Sequence, residues 1–441
     1  MSKIACTRSR FLSTQRASRF YLDGPQVKNP TSNAVQSPRT HMRTLAKNLL
    51  VASALALVVI YFVHIFPRMQ KGLDFPDFYA AARMVHDGRG RELYAPFVQN
   101  QYLIRYSGRV GTYFIHPPFE TLVYLPFAMF PLPWAYALWS IFQAIQLVAV
   151  ASLLETKSLI RVSWRLLVPI FLLFVPLLLD FLQGQDSLLL LLLLTSAFAL
   201  LESKRNFAGG CLLGCGLFKF HLAFPASLPS LFCKPKTLWW GLASVAVALL
   251  LVSIWISGWG AITAYPHFLL QLGSLPLAGI HNSQKANLRG LFALILPGSE
   301  GTAFYLTLLG SAFLMYLAVH CNRLAQQDRY SARLAFANAV FAGVLVGYHL
   351  SPHDLTILLL PMILLVDYLL TAGDIPRRTR WVLLLTLGVF FLPPLHLLLL
   401  RAHRYSYACI PILVLFGVSY REISRRNSAR ADLQARNTRH A

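Results

Sequence analysis

The chain has 441 residues, of which 56% are hydrophobic and only 13% are charged, and its formal net charge is +23. Soluble domains carry about 25% charged residues, so this composition excludes an ordinary soluble enzyme. The excess of Lys and Arg does not indicate nucleic-acid binding, because nine of these residues precede Leu49 and six more lie between Arg421 and Arg439. Basic residues that flank apolar spans usually set topology or contact anionic lipid.

The two ends of the chain differ from its middle. Residues 1–48 are basic, and the first 41 are polar with little periodic pattern, so we predict a disordered cytoplasmic tail there, with Met42 as an alternative start. Residues 421–441 form a second basic tail, also expected in the cytoplasm. Residues 49–420 form a single membrane domain. No small-residue cleavage site follows the apolar run 49–66, so a cleavable signal peptide is not expected.

Apolar runs of 17 to 22 residues recur through this domain, including 49–66, 133–154, 166–182 and 381–399. Such runs are long enough to cross hydrocarbon as helices, and they lack the alternation of barrel strands. Lys and Arg cluster in alternate loops, as in cytoplasmic loops. We therefore predict an all-α polytopic protein of the cell membrane with about 10–12 transmembrane segments, both termini in the cytoplasm, and residues 67–132 as a large first extracytoplasmic loop.

Residues 207–233 break the simple pattern. As one span they would place Lys234 and Lys236 on the wrong side of the membrane, and Lys219 and His221 would lie at the centre of the bilayer. Two short helices joined by an outer turn at Lys219 satisfy both constraints.

This threading gathers the polar residues of the domain on the outer side. Ionisable groups at membrane depth are costly and usually mark a functional site. We therefore expect one polar cavity that opens outward. Its candidate residues are Asp74, Asp77, His116, Gln183, Gln185, Asp186, Lys219, His221, Asn287, Arg289, His349, His353 and Asp354.

Two carboxylates open the first outer loop. Pro76 predicts the first turn of a helix that Gly88 would end, which places Asp77 where the helix dipole already favours an anion. Asp74 precedes that helix and is free to accept a proton from a hydroxyl nucleophile. The spacing would also suit a divalent metal, but no dedicated ligand set accompanies it, and none of the six cysteines forms a CxxC pair.

The basic and amide candidates each have two interpretations. A lysine with only a structural role at the depth of Lys219 would lose its hydration without a compensating interaction. We therefore favour an anionic ligand, such as a phosphate, for Lys219. Arg289 offers a fork for phosphate oxygens or is a solvated loop residue. Gln183 and Gln185 would bind sugar hydroxyls or simply form a turn in which Asp186 is a helix cap. His353 would be a phosphate donor or a proton shuttle, and Asp354 would be a ligand or a cap.

At these residues the sequence resembles glycosyltransferase family 87, the polyprenyl-phosphate-mannose-dependent mannosyltransferases of the GT-C superfamily. The resemblance runs from about Leu49 to Tyr420. Two positions depart from the family pattern. His116 stands where the family has an aromatic residue before the paired prolines, and Lys219 is followed by Phe220 and His221, whereas the family's lysine is often followed by Pro. The matching pieces, in family order, are Asp74-Phe75, Tyr79-Ala80-Ala81-Ala82-Arg83, Leu93-Tyr94, Pro117-Pro118, Gln183-Gly184-Gln185, Ala208-Gly209 leading to Lys219, Asn287 with Arg289-Gly290, and Ser351-Pro352-His353-Asp354.

The resemblance implies a GT-C fold and an extracytoplasmic active site in which Asp74 is the general base. Lys219, Arg289 and His353 would hold the donor phosphate. The expected substrate-binding residues are Asp77, Tyr79, His116, Gln183, Gln185, His221, Asn287 and Asp354.

The implied reaction is inverting transfer of a hexose, with mannose expected, from a polyprenyl-phosphate carrier to a hydroxyl acceptor on a glycolipid or glycan. A monophosphate leaving group needs stabilisation by cations, and the donor contains no diphosphate that demands a metal, so we expect no metal and no cofactor. A single base suffices, whereas glycosidases generally need two carboxylates. The alternative is a transporter or flippase of an anionic lipid-linked solute, although transporters often carry inverted repeats and none is visible here.

Overall fold

The computed structural model describes residues 38–60, 74–110, 112–156, 160, 162–271, 284–325 and 328–440. The chain divides into two units, Met1–Ala46 and Lys47–Ala441. Most of the predicted N-terminal tail, the start of the first outer loop, and the loop residues Lys157 and Arg161 lie outside the described residues. All secondary structure in the described part is helical, as predicted.

Within the described ranges, eighteen α-helices follow one another. In order they are α1 Pro38–Ile60, α2 Phe75–His86, α3 Pro96–Ser107, α4 Thr121–Ala128, α5 Leu132–Thr156, α6 Trp164–Leu172, α7 Val175–Gln183, α8 Ser187–Glu202, α9 Asn206–Cys215, α10 Phe220–Cys233, α11 Lys236–Gln271, α12 Leu288–Ile295, α13 Glu300–Leu324, α14 Arg329–Val346, α15 Leu359–Thr371, α16 Arg377–Phe390, α17 Pro393–Arg401 and α18 Cys409–His440. Short 3-10 helices form at Gly90–Glu92, Pro118–Glu120, Gly216–Lys219, Pro352–Leu358 and Tyr405–Ala408.

Six helical segments of the described chain are long and apolar enough to cross a membrane, or eight if each of two bent pairs is one span. The bent pairs are α6 with α7, at 78°, and α16 with α17, at 60°. The predicted number of about 10–12 segments is larger. The difference arises because some predicted spans form helices too short to qualify, such as the 16 residues of Ser187–Glu202.

The chain reverses direction between α9 and α10. By length and composition Asn206–Cys233 would be a single span, but the packing shows otherwise. Gly209 packs against the Leu201 side chain near the end of α8, and Gly216 packs against Leu190 nearer its start. Cys233, at the end of α10, lines the same cavity as Leu201. The segment therefore returns to the end from which it left, in agreement with the predicted pair of short helices joined at Lys219.

The helices consequently share two ends, which we call the site end and the basic end. The site end contains the turns at residues 183–187, 216–219 and 347–354. The basic end contains Arg333, which donates to Glu202 at 2.6 Å and to Asp367 at 2.7 Å. Charged loops that were predicted to be cytoplasmic meet at the basic end, where Arg426 also pairs with Asp328 at 3.0 Å.

The described part of the first loop forms a helical module, residues 74–131, with an aromatic core. The Phe78 ring stacks on Tyr124 at 4.4 Å, and Tyr124 stacks on Trp139 of α5 at 4.3 Å. After a kink at Gly258, α11 continues along the module, and the Tyr265 hydroxyl donates to the Ile115 carbonyl oxygen at 3.0 Å. These contacts hold the module against the site end.

Candidate active site

The start of α2 is fastened to the turn between α7 and α8. The Asp74 backbone N–H donates to the Gln183 carbonyl oxygen at 3.1 Å. Gly184 ends α7 with a φ of +65°, a left-handed conformation that favours glycine. A Cβ at Gly184 would lie 2.6 Å from the Cβ of Phe75. Glycine is thus required both for its conformation and for its size, and the close contact brings Asp74 to the turn.

A buried carboxylate that the sequence analysis overlooked supports the same turn. Asp180 accepts from the backbone N–H groups of Ser187 at 3.1 Å and Leu188 at 3.0 Å, so it caps α8 from the preceding helix. Asp186 occupies the N-cap position itself but makes no side-chain cap hydrogen bond. The interpretation of Asp186 as a simple cap is therefore wrong, and its carboxylate faces the site.

Gln185 connects the predicted base to the buried cation. Its Nε2 donates to Asp74 Oδ2 at 2.6 Å, and its Oε1 accepts from Lys219 Nζ at 3.3 Å. Gln143 of α5 donates to the Gln185 carbonyl oxygen at 2.9 Å and fixes the backbone there. Residues from four separate segments thus meet within hydrogen-bonding distance.

Lys219 is surrounded by acceptors inside the protein. In addition to Gln185, its Nζ lies 2.6 Å from Ser187 Oγ, 2.7 Å from Asp354 Oδ1 and 3.1 Å from Asp186 Oδ1. Only 1% of the residue is exposed. An ammonium group has three hydrogens to donate, and these acceptors use all of them. Lys219 therefore forms ion pairs with carboxylates of the site itself. Neither the structural interpretation nor the phosphate-binding interpretation of Lys219 had included these partners.

Asp354 serves as a cap and as an ion-pair partner at once. Its Oδ2 accepts from the Ser351 backbone N–H at 2.8 Å within a capping box, while its Oδ1 faces Lys219. The adjacent His353 is buried, its Nδ1 contacts Gln183 Oε1, and its Nε2 lies 3.6 Å from Asp354 Oδ1. The turn after α14 is therefore joined to the turn after α7.

A second group of cations lies beside this cluster. The Arg289 guanidinium stacks over the Tyr348 ring at 4.1 Å, and Lys285 is buried with 6% exposure. Burial, followed by the nearby Arg289 charge, lowers the pKa of Lys285 to about 8. Burial likewise lowers the pKa of His349 to about 4, and both Lys285 and Lys219 contribute. His349 is therefore close to both cationic groups, and the His221 ring is 6.1 Å from the His349 ring.

Asn287 uses both ends of its amide within the protein. Its Oδ1 caps α12 by accepting from the Gly290 N–H at 2.8 Å, and its Nδ2 donates to the Gly347 carbonyl oxygen at 2.5 Å. Asn287 therefore ties the segment that carries Lys285 and Arg289 to the turn that carries His349. Its amide groups are engaged by the backbone, so the predicted contact with substrate would require it to exchange partners.

Two predicted substrate residues lie within the loop module. Asp77 Oδ1 accepts from Thr112 Oγ1 at 2.7 Å, and burial together with the Asp74 charge raises the pKa of Asp77 to about 7. Asp77 lines a small cavity with Gln99 and Thr112. The Tyr79 hydroxyl donates to the Phe130 carbonyl oxygen at 2.9 Å. Both side chains are engaged inside the module rather than in the Lys219 cluster.

His116 contacts an acid that the sequence analysis did not identify. Its Nδ1 lies 2.9 Å from Glu120 Oε2, and Glu120 is fully buried. Burial and the nearby Asp186 raise the pKa of Glu120 well above its ordinary value, while burial lowers the pKa of His116 to about 4. Glu120 and Asp180 both stand in apolar sequence, and the cost of burying an acid there is the signal that could have identified them.

The environment of Asp74 is set by opposing effects. Burial is the largest effect and holds the pKa of Asp74 above its ordinary value, although the Gln185 hydrogen bond and the charges of Arg109 and Lys219 lower it. Arg109 is another residue that the sequence analysis missed. In the described residues no group of three or more His, Cys, Asp or Glu side chains has a geometry that could hold a metal ion. The site is thus an acid–amide–lysine cluster flanked by a second pair of cations.

The model of a family described as Glycosyltransferase family 87 matches residues 114–347, which include Gln185, Lys219 and Arg289. Asp74 and Asp354 lie outside the matched range. No curated protein and no solved structure matches the chain.

Proposed function

Because the chain belongs to glycosyltransferase family 87 and is therefore a membrane glycosyltransferase, we propose that it transfers a hexose, with mannose expected, from a polyprenyl-phosphate carrier to a hydroxyl acceptor. The acceptor would be a glycolipid or a glycan. The observation that carries this proposal is the hydrogen bond from Gln185 to Asp74, because it holds a carboxylate beside a cation-rich cluster at the end of the helices.

Asp74 is the general base in the proposed reaction. Gln185 engages Oδ2, and Oδ1 is the oxygen that would take the proton from the acceptor hydroxyl. The acceptor oxygen then attacks the anomeric carbon from the face opposite the phosphate. The bond from that carbon to the phosphate oxygen breaks, the configuration inverts, and the polyprenyl phosphate leaves with the electron pair of the broken bond.

The leaving phosphate needs positive charge around it. We propose that Arg289 and His353 bind it, as the family resemblance implies, together with Lys285, which lies close to Arg289. Arg289 supplies a planar fork suited to phosphate oxygens. A monoester leaving group stabilised by side-chain cations requires no resident metal, and we propose metal-independent transfer.

We further propose that the site end faces the extracytoplasmic side of the cell membrane and that both termini are cytoplasmic. The support for this orientation is the clustering of Arg333, Arg426 and their neighbours at the basic end, since short cytoplasmic loops carry an excess of Lys and Arg.

Mass spectrometry of glycolipids and glycans from cells with and without the gene would test the proposal. We expect deletion to remove products whose mass exceeds that of an accumulating acceptor by one hexose, and re-expression to restore them. Unchanged glycans, combined with transport of a lipid-linked sugar into sealed vesicles without a covalent product, would overturn the proposal in favour of a flippase.

A further inference from the structure

The position of Lys219 sets a limit on what it can bind. Its Nζ has four oxygen neighbours within 3.3 Å, which belong to Gln185, Ser187, Asp186 and Asp354. An ammonium group donates three hydrogens, and the residue is almost fully buried. A carrier phosphate would have to displace two paired carboxylates to reach it, at the cost of leaving them buried and unpaired.

Gln185 lies between Lys219 and Asp74 with a defined orientation. Its amide oxygen points to the cation and its amide nitrogen points to the carboxylate. The reverse orientation would place the NH₂ group against the ammonium and the oxygen against the carboxylate, and both contacts would be repulsive. Gln185 is itself 5% exposed, and Gln143 holds its backbone. The amide is therefore locked by Lys219 on one side.

We propose that Lys219 is a positioning residue that acts through Gln185: it fixes the amide so that Nε2 donates to Asp74 Oδ2, which holds the other carboxylate oxygen turned toward the acceptor. Lys219 is then not a ligand of the donor phosphate. The base function of Asp74 rests on the proposed function, whereas the relay from Lys219 through Gln185 to Asp74 rests on the contacts alone.

Several charged groups act on Asp74, so the relay predicts a change in the pKa of Asp74 and not its absolute value. Burial raises its pKa, and the Gln185 bond is the largest effect that lowers it, ahead of Arg109 and Lys219. Loss of Lys219 or of the Gln185 amide should therefore raise the pKa of Asp74. The titratable and charged groups that face Asp74 are Arg109, Lys219, Asp354, Asp77 and Tyr124.

The test compares Lys219→Met with Gln185→Met in the full-length protein. The kinetic probe is farnesyl phosphoryl mannose as donor with octyl mannoside as acceptor, measured from pH 5 to pH 9. In both variants we expect the acid limb of kcat to move up by roughly one pH unit, with the donor KM within about twofold of wild type. The double variant should move the limb no further than Lys219→Met alone. Lys234→Met, an exposed lysine at the end of α10, is the matched control and should leave the limb in place.

A role in phosphate binding would give a different pattern. Lys219→Met would then raise the donor KM by about tenfold or more, Gln185→Met would not, and the acid limb would stay in place. That result would overturn the proposal. If Lys219→Met fails to fold, Gln185→Met still tests the relay, because it leaves the pair between Lys219 and Asp354 intact and an unmoved acid limb in this variant overturns the proposal.

An infrared titration separates the relay from the proposed function. The carboxyl band that disappears in Asp74→Asn is followed against pH in wild type and in Gln185→Met. A midpoint roughly one unit higher in Gln185→Met supports the relay, and an equal midpoint overturns it. If wild type transfers no sugar from mannosyl, glucosyl or arabinosyl carriers, the proposed function fails, and the infrared result still decides the relay.

Discussion

The ammonium of Lys219 lies 2.7 Å from the carboxylate of Asp354, and neither residue is exposed to solvent by more than 2%. Removal of one partner of a buried ion pair leaves an uncompensated charge. We expect Asp354→Leu to destabilise the protein by about 3–5 kcal/mol, because it also removes the cap of the 3-10 helix. Thermal unfolding in detergent measures this loss. Lys219→Met combined with Asp354→Leu should recover part of it, and a double variant that is no more stable than Asp354→Leu would contradict the pairing.

The second prediction concerns the base. Asp74→Asn keeps the shape of the side chain but cannot accept the proton of the acceptor hydroxyl, so kcat should fall by about 10²–10⁴. Sugar transfer in reconstituted vesicles measures the rate, and size-exclusion behaviour confirms the fold. Asp87→Asn, at the end of the same helix, is the matched control and should retain activity. Full turnover by Asp74→Asn would remove the assigned base.

Asp77 gives a prediction about stability and pH. Its folded pKa is about 7, above the ordinary value of 3.8, so the folded protein binds its proton more tightly than the unfolded chain. The resulting stabilisation is present at low pH and is lost as the pH rises from about 4 through about 7. Asp77→Asn has no such loss. We therefore expect the Tm difference between Asp77→Asn and wild type to grow in favour of the variant from pH 5 to pH 8. A constant difference would show that Asp77 is already ionised at pH 5.

A fourth prediction separates conformation from space at Gly184. Gly184→Ala imposes the cost of a left-handed alanine and also forces its Cβ against Phe75. Gly108 has nearly the same φ, +67°, with nothing near its absent Cβ. Gly108→Ala should therefore cost only about 1–2 kcal/mol, and Gly184→Ala should cost more and also lower kcat, because the contact positions Asp74. Equal effects of the two substitutions on stability and rate would contradict the close fit.

The fifth prediction concerns Arg289 and Lys285 and is tested by the affinity for the donor. If Arg289 and Lys285 bind the carrier phosphate, Arg289→Met and Lys285→Met should each raise the donor KM by about tenfold to a hundredfold, since a lost charged contact is worth about 1.5–3 kcal/mol. The acceptor KM should be unchanged. Arg329→Met, at the exposed basic end, provides the control. An unchanged donor KM in both variants would move the phosphate away from this pair.

The charges of the loops predict much of this arrangement from the sequence alone. The conflict between Lys219 and the lysines at 234 and 236 predicted the reversal between α9 and α10, which the packing of Gly209 and Gly216 supports. The proximity of Asp74, Gln185, Lys219 and Asp354 also followed from the threading, since all four were expected on one side. The pattern of charge along a membrane chain thus predicts which residues share an end.

The roles of individual side chains could not be predicted in the same way. Whether Asp354 caps a helix or pairs with a lysine depends on the distance to residues far away in the chain, and it does both. Asn287 was interpreted as a substrate ligand because the sequence does not show that its amide nitrogen donates to the distant Gly347 carbonyl oxygen. Asp180 lies within the apolar run 166–182, which the sequence analysis interpreted as a transmembrane segment. The periodicity of apolar residues and the hydropathy of a segment predict which face of a helix is buried and how long the helix is. They do not predict which hydrogen-bond donor contacts which acceptor.

The pair formed by Lys219 and Asp354 joins residues 135 positions apart. During synthesis the lysine is therefore made and inserted long before its principal counter-ion leaves the ribosome, and in that interval Asp186 is the nearer acid in the sequence. A chain that stops before the turn after α14 would retain a buried cation with incomplete neutralisation. The charge at the centre of the molecule is therefore balanced only after the turn that carries Asp354 has been synthesised and packed against Lys219.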